Sequence, residues 1–62
     1  MLTTNDNTGA LRFYQRASFR LAALRPGAVD EARGTVKPSI PATGADGIAI
    51  RDEIDLVLDL TR

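Results

Sequence analysis

Asn7-Thr8-Gly9-Ala10-Leu11-Arg12-Phe13-Tyr14-Gln15-Arg16-Ala17-Ser18-Phe19 is the stretch that decides the fold of this chain. Ala10, Phe13, Tyr14 and Ala17 recur at i, i+3, i+4 and i+7, which is one apolar stripe of a helix. Arg12, Gln15 and Arg16 take the other side, and Leu11 widens the apolar edge. Asn5-Asp6-Asn7-Thr8-Gly9 is a turn cluster, rich in short side chains that hydrogen-bond nearby backbone. Any of Asp6, Asn7 or Thr8 can cap the helix by accepting one of its orphan N–H groups. The pattern predicts a helix over 8–17.

Working outward, Phe19, Leu21 and Ala23 alternate with Arg20, Ala22 and Leu24, which predicts a strand over 19–24 with one wholly buried face. Pro26-Gly27 ends it. Residues 25–47 hold all three prolines and four of the five glycines, the composition of a long loop. A short helix over Ala28–Arg33, stopped by Gly34, would break that loop up. Lys37-Pro38-Ser39-Ile40-Pro41 is expected to be extended, because a residue before proline is pushed out of the helical region. In the tail, Ile50, Ile54, Val57 and Leu58 make a helical stripe. Ile54, Leu56, Leu58 and Leu60 make a longer alternation, which favours a strand over 50–60. Leu2-Thr3-Thr4 reads as the remnant of one more strand. The class is α+β: a helix followed by an antiparallel strand pair with a long connecting loop.

With 62 residues the chain is one small unit. Such a chain buries only about 60% of its unfolded surface. One small core then supplies no more than roughly 3–5 kcal/mol. It has no Cys and no His, so disulfides are excluded and no metal site is expected. Lys+Arg and Asp+Glu are both 8, and this zero net charge gives no footprint for nucleic acid. Arg12, Arg16, Arg20 and Arg25 bias the first half basic, while Asp46, Asp52, Glu53, Asp55 and Asp59 make the last third acidic. That asymmetry means two solvated faces or one intramolecular pairing. No apolar run approaches the length of a membrane span, and no signal peptide opens the chain, so a cytoplasmic location is expected.

The opening stretch also resembles the late signature of the GNAT family of acetyl-CoA-dependent N-acetyltransferases, roughly N-x-x-A-x-x-x-Y-x-x-x-G-F. Asn7, Ala10, Tyr14 and Phe19 match it, and Ser18 stands where the family usually has Gly. The resemblance implies the C-terminal part of an acyl-CoA N-acyltransferase fold, with residues 1–62 as a fragment of that domain. It implies that the final strand inserts between two earlier ones, beside 19–24 on one side and 2–4 on the other. It also implies direct transfer of an acetyl group from acetyl-CoA to an amine acceptor. Tyr14 stands where many members carry the acid that protonates the departing sulfur, and Asn7 stands where the pantetheine arm is commonly held. Gly at the Ser18 position lets the chain turn with a positive φ, so Ser18 is expected to sit strained or to shift the turn.

Each of these residues also has a plainer reading. Tyr14 on an apolar stripe is a core residue with a wet hydroxyl. Asn7 is a helix cap. Asp52, Glu53, Asp55 and Asp59 are a solvated strand face that does not converge on Tyr14. The family's phosphate-binding segment, Q/R-x-x-G-x-G/A, does not occur in the chain. The fragment is therefore expected to be inactive alone, to bind acetyl-CoA poorly, and to be homo-oligomeric or only partly folded. The alternative function is a non-catalytic module that self-associates or completes a partner's sheet.

Overall fold

The computed structural model describes residues 1–58 and 60. Its elements are β1 (Leu2–Thr4), α1 (Thr8–Arg16), β2 (Phe19–Arg25), α2 (Ala28–Thr35) and β3 (Glu53–Leu58), with a short 3-10 turn at Ala45–Gly47. The strands form one antiparallel sheet in the order β1-β3-β2. The last strand therefore lies between the two earlier ones, and α1 carries the chain across it.

Asn7 caps α1, accepting a hydrogen bond from the Ala10 N–H at 3.4 Å. The helix ends one residue before the sequence pattern suggests. Ala17 is its C-cap, and its N–H donates to the carbonyls of Phe13 and Tyr14 at 3.0 and 3.1 Å. Ser18 then turns the chain into β2 with φ 76°. An L-residue in this left-handed region costs roughly 1–2 kcal/mol, so the expected strain at Ser18 is present.

β2 runs one residue further than predicted, to Arg25. Phe19 pairs with Leu58 and Leu21 with Leu56; a bulge at Ala22 follows, after which Ala23 pairs with Asp55 and Leu24 with Ile54. Opposite residues share a face. The bulge therefore shifts Leu24 from the Arg20 side to the side of Phe19 and Leu21. One face carries Phe19, Leu21, Leu24, Ile54, Leu56 and Leu58; the other carries Arg20, Arg25, Glu53, Asp55 and Val57. The expected burial of a β2 face does not occur. Leu21 and Leu24 are 56% and 60% exposed, because α1 reaches this strand at Phe19, through Tyr14, and leaves both leucines uncovered. Among the described residues the buried apolar side chains are Leu56, at the centre of the sheet, and Val29.

The loop between β2 and β3 is more ordered than its composition suggests. α2 passes through Gly34 to Thr35, and the Val36 and Lys37 N–H groups both close on the Ala32 carbonyl. Gly34 does not stop the helix. Lys37–Pro41 forms a turn and is not extended; the Ile40 N–H donates to the Lys37 carbonyl at 3.2 Å. Thr43 and Ala49 then bridge antiparallel around the 3-10 turn. β3 starts at Glu53, so Ile48 and Ile50 belong to the loop and the predicted strand over 50–60 begins late. Leu60, 81% exposed, lies past the strand. Asp59 lies outside the described residues.

Candidate functional site

Tyr14 is half-buried on α1, edge-on to Phe13 at 5.4 Å and to Phe19 at 5.1 Å between ring centroids. This places Tyr14 on the apolar face of the sheet, where Phe19 meets Leu58. Its hydroxyl makes no hydrogen bond among the described residues. Asn7 lies seven residues earlier, on the same side of the helix and about 10 Å away along its axis. The fold thus aligns the two signature residues. Asn7 is exposed, with its side-chain oxygen on the helix cap.

The acidic residues lie elsewhere. Arg25 holds Glu53 at 3.2 Å and Asp55 at 3.7 Å, on the sheet face opposite Phe19. Of the arginines that make the first half basic, Arg25 is thus paired with the acidic tail within the chain, while Arg12 and Arg16 form no ion pair among the described residues. Asp52 accepts from the Gly27 N–H at 2.8 Å and so closes the start of α2. Among the described residues, no group of three or more acidic, His or Cys side chains is arranged to hold a metal.

The densest polar structure sits immediately before Asn7. The Asn5 side chain donates to the Ala49 carbonyl at 2.8 Å and accepts from the Arg51 and Asp52 N–H groups at 2.9 and 3.0 Å. Asp6 is buried. Its carboxylate accepts from the Thr4 hydroxyl and, at 3.1 Å, from the Ala45 N–H. The Thr4 bond holds the carboxyl below the usual carboxylate range, helped by the Ala45 and Asp6 backbone N–H groups; burial pushes the other way. Gly44 allows this approach. A Cβ there would stand 2.8 Å from the Asp6 Cγ and 2.9 Å from the Ile50 Cδ1.

Arg33 completes the knot, donating to Asp30 and to the carbonyls of Ile40, Pro41 and Ile50 at 2.8–3.0 Å. The loop of 36–52 is thereby tied to the start of the signature helix and to α2. Sequence reading names Asp6 only as a possible cap. It misses Asn5, Arg33 and Gly44 because most of their partners are remote in sequence. The Asn5-Asp6 turn cluster is the one local signal.

Two proteins of Bacillus subtilis (strain 168) are similar to the chain. The uncharacterized protein YdhI is 50% identical over 54 residues, covering 87% of this chain and 33% of YdhI. The uncharacterized protein YxbD is 48% identical over 60 residues, covering 97% of this chain and 37% of YxbD. The chain spans about a third of the length of these curated relatives. No protein-family model and no solved structure matches it. Among the described residues, no helix is long and apolar enough to cross a membrane.

Proposed function

We propose that this chain is the C-terminal part of an acetyl-CoA-dependent N-acetyltransferase domain of the GNAT type, working in the cytoplasm and acetylating an amine. One observation carries the reading: the signature Asn7–Phe19 lies on the crossover of a sheet whose last strand is inserted between its two predecessors. The positive φ of Ser18, at the position where the family has Gly, agrees with it. In this reading Asn7 faces the pantetheine arm of the co-substrate. Tyr14, whose hydroxyl has no hydrogen-bond partner among the described residues, donates its proton to the thiolate as CoA leaves. The knotted loop of 36–52 borders the amine.

The test grafts residues 7–60 into YdhI in place of its matching segment and follows amine-dependent thiol release from acetyl-CoA. Turnover is expected, and Tyr14→Phe is expected to lower it by about 10²–10⁴-fold, the usual cost of losing a general acid. A folded graft that releases no thiol with any of a panel of polyamines, aminoglycosides and peptide N-termini refutes the reading. A change below about threefold returns Tyr14 to packing.

A second reading, a self-associating or sheet-completing module, is favoured by the exposure of Leu21, Leu24 and Leu58 on one sheet face. Full thiol-release activity in a monomeric graft excludes it.

A further inference from the structure

Three consecutive residues at the start of α1 turn their side chains to three different segments. Asn5 bonds the approach to β3, Asp6 bonds β1 and the 3-10 turn, and Asn7 caps the helix. Their backbone is pinned as well. The Asn5 N–H donates to the Asp52 carbonyl, the Asn7 N–H to the Thr4 carbonyl and the Leu11 N–H to the Asn7 carbonyl, each at 3.1 Å. The Asn7 carboxamide is held loosely. It is exposed, and its 3.4 Å cap bond is longer than the usual range of about 2.7–3.2 Å. The segment that Asn5 and Asp6 grip is a unit of its own. The Ile50 N–H donates to the Ala42 carbonyl at 3.0 Å and the Gly44 N–H to the Ile48 carbonyl at 2.9 Å, closing residues 42–50 into a small hairpin. No side chain of this hairpin is buried, and an isolated hairpin is marginal in water. Its place is therefore set by polar ties: Asp6 at the tip, Asn5 on the return limb and Arg33 at the base.

We propose that Asn5 and Asp6 are positioning residues that fix the 42–50 hairpin against the first turn of α1, so that the wall next to Asn7 stands preformed before a ligand arrives. This rests on the reading of Asn7 and the 36–52 loop as flanks of the reaction site. Neither side chain touches substrate in this role. Asp6 joins Thr4 of β1 to Ala45 at the hairpin tip, and the Gly44 backbone packs on its carboxylate with no room for a Cβ. Asn5 sets the return limb at Ala49 and the backbone N–H groups that follow it. A loop that must be ordered on binding costs affinity, and a displacement of about 1 Å at a reacting centre costs up to about 10²-fold in rate. With both ties made, the hairpin and the start of α1 move as one body.

Amide hydrogen exchange, read residue by residue in the chain, tests the positioning without reference to activity. Asp6→Asn is expected to speed exchange of the Gly44 and Ile48 amides about tenfold more than that of Leu56 in the central strand, because the hairpin opens by itself. A merely structural residue would speed all three by one factor. Thr4→Val removes one bond to the carboxylate and keeps its charge; it is expected to give the same pattern at about threefold, and it serves if Asp6→Asn does not fold. The kinetic arm uses a graft of residues 1–60 into YxbD in place of its matching segment. There Asp6→Asn is expected to raise the KM for the amine about tenfold, while the KM for acetyl-CoA changes by less than about threefold. Where the chain self-associates, exchange is read in this graft. Equal acceleration at the hairpin and at Leu56 overturns the proposal, and so do two Michaelis constants that rise together. A parental graft without thiol release refutes the acetyltransferase reading instead, and the exchange pattern alone then decides the positioning.

Discussion

The knot around Asn5, Asp6 and Arg33 and the open face around Leu21 and Leu24 are stabilised in opposite ways. In the knot, three side chains make nine hydrogen bonds among the described residues, of which all but the Thr4–Asp6 and Asp30–Arg33 contacts join them to backbone of the loop or of β3's approach. On the open face, Leu21, Leu24 and Leu58 share one side of the sheet with the buried Leu56 and stay about half in water. A chain this small cannot bury both sides of a sheet. Here directional polar bonds fix the loop, and the apolar surface of β2 stays uncovered. The lesson is that a fragment-sized chain can have a rigid loop and an unfinished core at once.

The hardest blow to the knot is Gly44→Ala. The new Cβ drives the Asp6 carboxylate off Thr4 and Ala45, and burying it unpaired costs about 2–3 kcal/mol by urea denaturation. An unchanged midpoint means that the loop yields and the knot is soft. Acid attacks the same point more gently. Asp6 titrates below the ordinary carboxylate range when folded, so its contribution is present above the unfolded pKa and is lost as pH falls through and below that range. The urea midpoint is expected to fall between about pH 5 and pH 3. Asp6→Asn is expected to be less stable than the parent at neutral pH by about 1–2 kcal/mol, and to converge on it at low pH. A constant gap across this window removes Asp6 from the acid response.

On the other side of the comparison, Ser18→Gly relieves a positive φ and is expected to stabilise the chain by about 0.5–1 kcal/mol. Thermal melts check this, and destabilisation would mean that the Ser18 side chain does more than turn the chain. The smallest effect is expected at the open face. Leu21→Ser with Leu24→Ser is expected to change monomer stability by less than about 0.5 kcal/mol. It is expected to reduce self-association in sedimentation runs, because exposed apolar sheet surface recruits partners. A large loss of monomer stability would show that these leucines already belong to a core.

How much of this was legible depended on the range of the interaction. The helix from Thr8, its Asn7 cap, the strand from Phe19 and the remnant Leu2–Thr4 rest on local periodicity and capping, and the structure has them within a residue or so. The exposure of β2 was not legible, since alternation reports which residues share a face and not whether another layer covers it. Leu24 changed sides through a one-residue bulge that leaves no mark in the pattern. Gly34 stayed helical although Gly often ends a helix, because two N–H groups close on Ala32 beyond it.

Of the candidate site, the sequence by itself determined that Asn7 and Tyr14 share one side of a helix, since seven residues make two turns. It also determined that Arg12 and Arg16 lie across from them. Tertiary structure alone decided that Asn5 and Asp6 lock a loop some forty residues away, that Arg33 gathers three carbonyls, and that β3 separates β1 from β2. Those contacts join segments whose separation only folding closes. A side chain's hydrogen-bonding capacity is written in its residue type, but its distant partner is set by the path of the chain.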